Sequence, residues 1–210
     1  MTAFENCIAR NRLKPLDPDP EKMAIELGKA LEELDRARSG LLARKYRDSV
    51  TQSYFAMLRC ARAGLNSRGY RDTNLYGLCI GLEELWVKTG DLEKSIIDHL
   101  RKAKDVKDSA YNGYPISPDQ AKMLLNWAQV MGKEIISRLA LPGFNGDDIQ
   151  IGMPVAPEQE QTQDDDVDEN EKNYNSEAYN KSRIERSGFG NDRSRNRNGY
   201  RRNDRDKFNR

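Results

Sequence analysis

The sequence predicts an all-α protein, an up-and-down antiparallel bundle of four to five helices followed by a disordered C-terminal tail. Three features point there. Apolar residues recur at helical spacing through five segments, no segment sustains the period of two that marks a half-buried strand, and large aliphatic residues nearly vanish after about residue 150. A chain of 210 residues holds one domain of common size plus an appendage. The expected divisions are an extended N-terminal arm (1–19), the helical bundle (20–142), a linker (143–156) and the tail (157–210).

Each helix has its own start and stop chemistry. Asp19-Pro20-Glu21 supplies a cap, a first-turn proline and a first-turn acid, so a helix is expected from about residue 20. Ala24, Leu27, Leu31, Leu34 and Leu41 then share one face, opposite Glu26, Lys29, Glu32, Glu33 and Arg36, to about residue 43. The second helix carries Val50, Tyr54, Met57, Leu58, Ala61 and Leu65, and Gly69 in the Ser67–Tyr70 turn stops it. A third is expected to open at Asp72 and Thr73, stacking Leu75, Leu78, Cys79, Leu82, Leu85 and Trp86 until Gly90. The fourth, from Asp91, uses Ile96, Ile97, Leu100 and Ala103. Ser117-Pro118-Asp119 opens the fifth, which runs through Leu124, Leu125, Ala128, Met131, Ile135 and Ile136 until Leu141-Pro142-Gly143 breaks it. Amphipathic stripes joined by short turns bury against one another, which favours a bundle. The apolar residues of GFNGDDIQIGMPV, 143 to 155, are suited to docking on it.

The tail is a different polymer. Residues 157–171 hold eight acids and no base, whereas 181–210 hold eleven bases against four acids. Such a segment buries too little apolar surface to offset ordering, which costs roughly 1–2 kcal/mol per residue. In the basic block Arg193, Arg195, Arg197, Tyr200, Arg201, Arg202 and Arg205 alternate with Gly and Asn, a pattern suited to tracking a nucleic-acid strand through phosphate contacts and ring stacking. The same composition also reads as a solubilising tail without a partner.

Other function classes find little footing. The sole histidine, His99, has no second imidazole or Glu-x-x-His partner for a metal, so no metal site and no cofactor are expected. No phosphate-cradling glycine loop and no nucleophile–histidine pair stand out. Cys7, Cys60 and Cys79 are far apart with no C-x-x-C pair, which suits a reducing compartment. No segment approaches the roughly 18 apolar residues of a membrane span, and MTAFENCIARNR lacks a signal-peptide apolar region, so the expectation is a cytoplasmic protein with no membrane partner. On the second helix, Arg44, Arg47, Arg59, Arg62 and Arg68 lie near Tyr46, Tyr54 and Phe55. This is either an RNA-holding face or core rings beside solvated arginines.

Four stretches together carry a resemblance: ENCIARNRLKPLDPDPEK, KYRDSVTQSYFAMLRCARAGLNSRGYRDTNLYGLCIGLEELWV, AKDVKDSAYNG and SPDQAKMLLNWAQVMGKEII. Over about residues 3–140 the chain resembles the HEPN (higher eukaryotes and prokaryotes nucleotide-binding) domain proteins of a short prokaryotic branch. The resemblance implies a four- or five-helix bundle, commonly a homodimer, often encoded with a minimal nucleotidyltransferase as a toxin–antitoxin pair. It also implies a metal-independent ribonuclease ancestry, in which an arginine and a histidine four to six residues later act on an RNA phosphate. Laid onto that pattern, Lys107 falls at the arginine position, Asp108 is the acid beside it and Tyr111 takes the aromatic position. Lysine lacks the guanidinium fork, and tyrosine is a poor neutral-pH substitute for imidazole. A histidine common early in helix three of this branch is absent, since Leu75 follows Asn74. The expectation is therefore an RNA- or partner-binding module with a degraded ribonuclease site at Lys107, Asp108 and Tyr111. The alternatives are an active endoribonuclease using the same three residues, and a scaffold with no nucleic-acid role.

Overall fold

Asp19 opens its helix as its chemistry requires: in the computed structural model its Oδ1 accepts the N–H groups of Glu21 and Lys22, each at 3.1 Å. The structure describes residues 1–154, and the expected disorder of the tail lies outside them. From Asp19 helix α2 runs Pro20–Leu42, and helix α3 follows at Tyr46–Ser67. The turn between them takes Arg44 through a left-handed conformation, φ 57°. Small residues let the two helices approach closely. A Cβ on Gly40 would sit 3.1 Å from the Ser49 nitrogen, and Ala30, Ala37, Ser49, Ser53 and Ala56 are all fully buried.

The N-terminal segment is not an extended arm. Thr2 Oγ1 accepts the Glu5 N–H while the Glu5 carboxylate accepts the Thr2 N–H, a reciprocal cap that opens helix α1, Ala3–Ala9. Cys7 is buried on its inner face. Strand β1, Leu13–Pro15, then pairs antiparallel with strand β2, Tyr70–Asp72, matching Leu13 to Asp72 and Pro15 to Tyr70. The expectation of no strands is corrected by this ribbon, whose three-residue strands are too short to display a period of two. Phe4 of α1 packs edge-on against Tyr70, ring centroids 5.2 Å apart.

Two further starts move. Asp72 belongs to β2 and receives Arg62 Nε and Nη2 at 3.1 and 3.3 Å. The true cap of the third helix is Asn74, whose Oδ1 accepts the Gly77 N–H at 2.8 Å, giving α4, Leu75–Leu82. Residues Glu83–Val87 continue it as a wider π-type turn, with the Lys88 N–H donating to the Glu83 carbonyl. Trp86, 1 % exposed, enters the core from this turn, its indole N–H donating to the Gly64 carbonyl at 3.0 Å. Asp91 does not open the fourth helix. Its carboxylate accepts from Thr89 and Arg68, and α5 spans Lys94–Tyr111.

Helix α6, Pro118–Leu139, starts as expected at Ser117, with a second reciprocal cap to Gln120. The result is all-α apart from the short ribbon, with α3 as the central helix packed against α2, α5 and α6. Among the described residues no helix is long and apolar enough to cross a membrane. Residues 143–154 are more than a linker: Ile149 is 5 % exposed, and the 3-10 turn Gly146–Asp148 lies directly on α6. A Cβ on Gly146 would fall 2.7 Å from the Lys133 carbonyl oxygen, so only glycine fits there.

Candidate functional site

The last two turns of α5 bring Lys107, Asp108 and Tyr111 together, with additional groups from α5 and α3. Lys107 Nζ lies 3.0 Å from Asp108 Oδ1, and Lys104, one turn earlier, pairs with Asp108 Oδ2. The same Lys107 ammonium stands 5.8 Å from the ring centroids of both Tyr54 and Tyr111. Tyr111 is 83 % exposed, whereas Tyr54 is 7 % exposed on α3. The arrangement is a carboxylate between two ammonium groups, next to one inner and one outer phenol ring.

The charge states follow from these contacts. Lys104 first, and then Lys107, holds the Asp108 carboxyl below the usual carboxylate range, and the hydrogen bond to Asp108 raises Lys104. The contribution of Asp108 is present above the ordinary carboxylate pKa and is lost as pH falls through its lowered value. That of Lys104 is present below the ordinary lysine pKa and lost as pH rises through its raised value. Across neutral pH the pair is fully ionised. Burial pushes the Tyr54 phenol upward, so it stays protonated and does not act as a base through a phenolate.

The imidazole is elsewhere. His99 lies eight residues before Lys107, roughly 12 Å along the helix axis. It stacks on Trp127 of α6, with centroids 4.3 Å apart and planes within 6°. Burial first, then the charge of Lys102, holds His99 below its ordinary pKa.

The arginine face of α3 divides. Arg59 pairs with Glu26 at 3.2 Å, Arg62 with Asp72, and Arg68 with Asp91 at 2.6 Å while lying over the Trp86 ring. These three are committed within the fold, while Arg44 and Arg47 are exposed. A groove of about 480 Å³ beside the ribbon, bordered by Lys22, Ile25, Arg62 and Tyr70, has its carboxylates Glu26 and Asp72 matched to Arg59 and Arg62. All three cysteines are free and buried, and burial pushes the Cys60 thiol to about 12 and the Cys79 thiol to about 11. Among the described residues no three His, Cys, Asp or Glu side chains gather at metal-binding distance.

Sequence reasoning missed Lys104, although its spacing of four from Asp108 is the ordinary ion-pair spacing of a helix. It also placed Tyr54 in the core without its outward contact to Lys107. The tail candidates Arg193, Arg195, Arg197, Tyr200, Arg201, Arg202 and Arg205 lie outside the described residues. No protein-family model matches the chain, and no curated protein matches it.

Proposed function

We propose that the protein is a HEPN-like helical domain that acts as an RNA-binding module with a degraded ribonuclease site. The family resemblance alone supports the further expectations of this reading: a cytoplasmic homodimer that binds RNA or a nucleotidyltransferase-type partner. The observation that carries the reading is the site on α5, where Lys104, Lys107, Tyr54 and Tyr111 supply cations and rings while the only histidine is engaged with Trp127. Cations and rings suffice to hold a phosphate and stack a base. Cleavage by the 2′-hydroxyl route requires proton transfer near neutral pH, and the Lys104–Asp108 pair stays charged throughout that range. The Arg-rich block adds nonspecific, salt-sensitive affinity.

The test is RNA integrity in EDTA alongside RNA binding, comparing full-length protein with Lys107→Ala and Tyr111→Phe. Intact RNA in every lane, with binding weakened by Lys107→Ala, is the expected result. Cleavage abolished by both substitutions would establish an active metal-independent endoribonuclease. No binding by any protein would leave a scaffold.

A further inference from the structure

Strands β1 and β2 set two cations directly against one another. In the register that matches Leu13 to Asp72 and Pro15 to Tyr70, Lys14 faces Arg71. Directly opposed residues of an antiparallel pair project to the same face with Cβ atoms about 4.5–5.5 Å apart, and like charges there destabilise the pairing. Neither cation enters an ion pair among the described residues, and the nearby carboxylates Asp19 and Asp72 are engaged by Lys22 and Arg62 at 2.9 and 3.1 Å. A cation on either strand already discourages pairing with another chain, so edge protection does not require the opposition. Arg71 also stands at the rim of the groove of about 480 Å³ between the ribbon, α2 and α3, a volume within the roughly 300–1,000 Å³ of small-ligand sites. Leu16 and the Tyr70 ring line it from the ribbon side, and Ile25, 49 % exposed, lines it from α2. Asn66 Oδ1 accepts the Asp19 N–H at 3.0 Å, which leaves the Asn66 NH2 group with no acceptor among the described residues.

We propose that this groove binds a small phosphomonoester with an aromatic or apolar body, its phosphate at the rim beside Arg71 and Lys14 and its body on Tyr70 and Ile25. Charge selects the class. The groove's own carboxylates, Glu26 and Asp72, are neutralised by Arg59 and Arg62 at 3.2 and 3.1 Å, so the unmatched charge at the rim is positive. A phosphomonoester carries about −1.5 to −2 at pH 7, which answers two unpaired cations where a carboxylate would answer one. The planar Arg71 guanidinium can take two phosphate oxygens, and the Lys14 ammonium adds a point charge. Phe4 holds the Tyr70 ring edge-on, with centroids 5.2 Å apart, so the apolar wall is in place before a ligand arrives. Binding relieves the repulsion that the free ribbon carries, and a rule of strand pairing broken without a compensating contact is what a functional site shows. None of these groups belongs to the α5 cluster.

The experiment is isothermal titration of full-length protein with naphthyl phosphate at low ionic strength. Naphthyl phosphate should bind, with naphthol and inorganic phosphate each at least tenfold weaker, because the first lacks the charge and the second the body. Arg71→Glu should weaken naphthyl phosphate at least tenfold and, by turning the opposition into an ion pair with Lys14, raise the melting temperature of the free protein. Ile25→Glu should weaken it at least fivefold. The Arg-rich tail is common to all the proteins compared, so its contribution cancels. No binding of naphthyl phosphate, equal affinity for inorganic phosphate, or affinity unchanged by Arg71→Glu would each overturn the proposal. Should Arg71→Glu melt at a lower temperature, Lys14→Glu, which leaves the groove lining intact, decides the question by the same criteria.

Discussion

Asp108 occupies the position where a single charge decides what two lysines can do. Both of its oxygens are engaged by ammonium groups, so any phosphate arriving at Lys104 or Lys107 competes with it. In the RNA-binding reading, Asp108→Asn should raise RNA affinity and steepen its salt dependence, by about 0.7 in the log–log slope for each further phosphate neutralised on a single strand. Unchanged binding, together with a loss of thermal stability, would reduce the cluster to a helix terminus. His99 makes a separate prediction on the acid side. Its folded pKa is lowered, so the unfolded chain takes up the proton first as pH falls. The stabilisation is complete above about pH 6.5 and is lost as pH falls through the lowered folded value. Trp127 stacks on it, Lys102 opposes its protonation and Asp98 favours it. The lowered carboxyls Asp19, Asp91, Asp98 and Asp108 act below about pH 4. Between pH 7 and pH 5 the melting temperature should therefore fall more in the unsubstituted protein than in His99→Gln; equal falls would show that the stack does not sense pH.

At the scale of elements, backbone contacts hold the N-terminal ribbon in place. Gly77 is where α4 meets the segment before β1: a Cβ there would lie 2.4 Å from the Arg12 carbonyl oxygen, which already accepts the Thr73 N–H at 3.0 Å. Backbone cannot yield as a side-chain tip can. Gly77→Ala should cost about 1–3 kcal/mol, read as a lower urea midpoint, whereas Gly113→Ala, with no atoms near its Cβ, tests only backbone strain at φ 88°. This junction also shows what sequence periodicity can and cannot convey. The long helices α2, α3 and α6 were legible because Leu27, Leu34, Met57, Leu65, Leu124 and Ile135 repeat over many turns and Asp19 and Ser117 mark their starts. The Thr2–Glu5 cap carried a sequence signature, but the seven-residue helix it opens is too short to show a repeating apolar stripe. The Asn74 cap is local, its Oδ1 reaching the Gly77 N–H three residues on, but Asp72 and Thr73 beside it carry the same cap chemistry. The ribbon and the widened turn before Trp86 depend on contacts between distant segments, such as Leu13 with Asp72 and Trp86 with Gly64, which no local window contains. The α5 cluster was half legible for the same reason: Lys107, Asp108 and Tyr111 adjoin in sequence, while Tyr54 arrives from another helix.

For the whole molecule, charge is distributed unevenly between the bundle and the C-terminal residues. The bundle commits many of its cations internally, as Arg59, Arg62, Arg68 and Arg101 show. By contrast, residues 181–210 carry eleven bases against four acids, and residues 157–171 carry eight acids. In the RNA-binding reading, the basic block provides most of the counterion release and the α5 site provides a fixed anchor. Deleting 181–210 should then weaken RNA binding and flatten its salt dependence by about 0.7 for each phosphate no longer neutralised, with helicity by circular dichroism unchanged. Lys107→Ala in the full chain should weaken binding with a slope change of no more than about 0.7, the value for one phosphate. Combining the two measures their coupling: losses that add mean the two contributions are independent, and a smaller combined loss means they are linked through the bound RNA. If the deletion leaves affinity and slope untouched, RNA does not engage the basic block, and any remaining binding must come from the bundle. If Lys107→Ala alone has no effect while the deletion abolishes binding, the α5 cluster is structural and the affinity belongs to the tail.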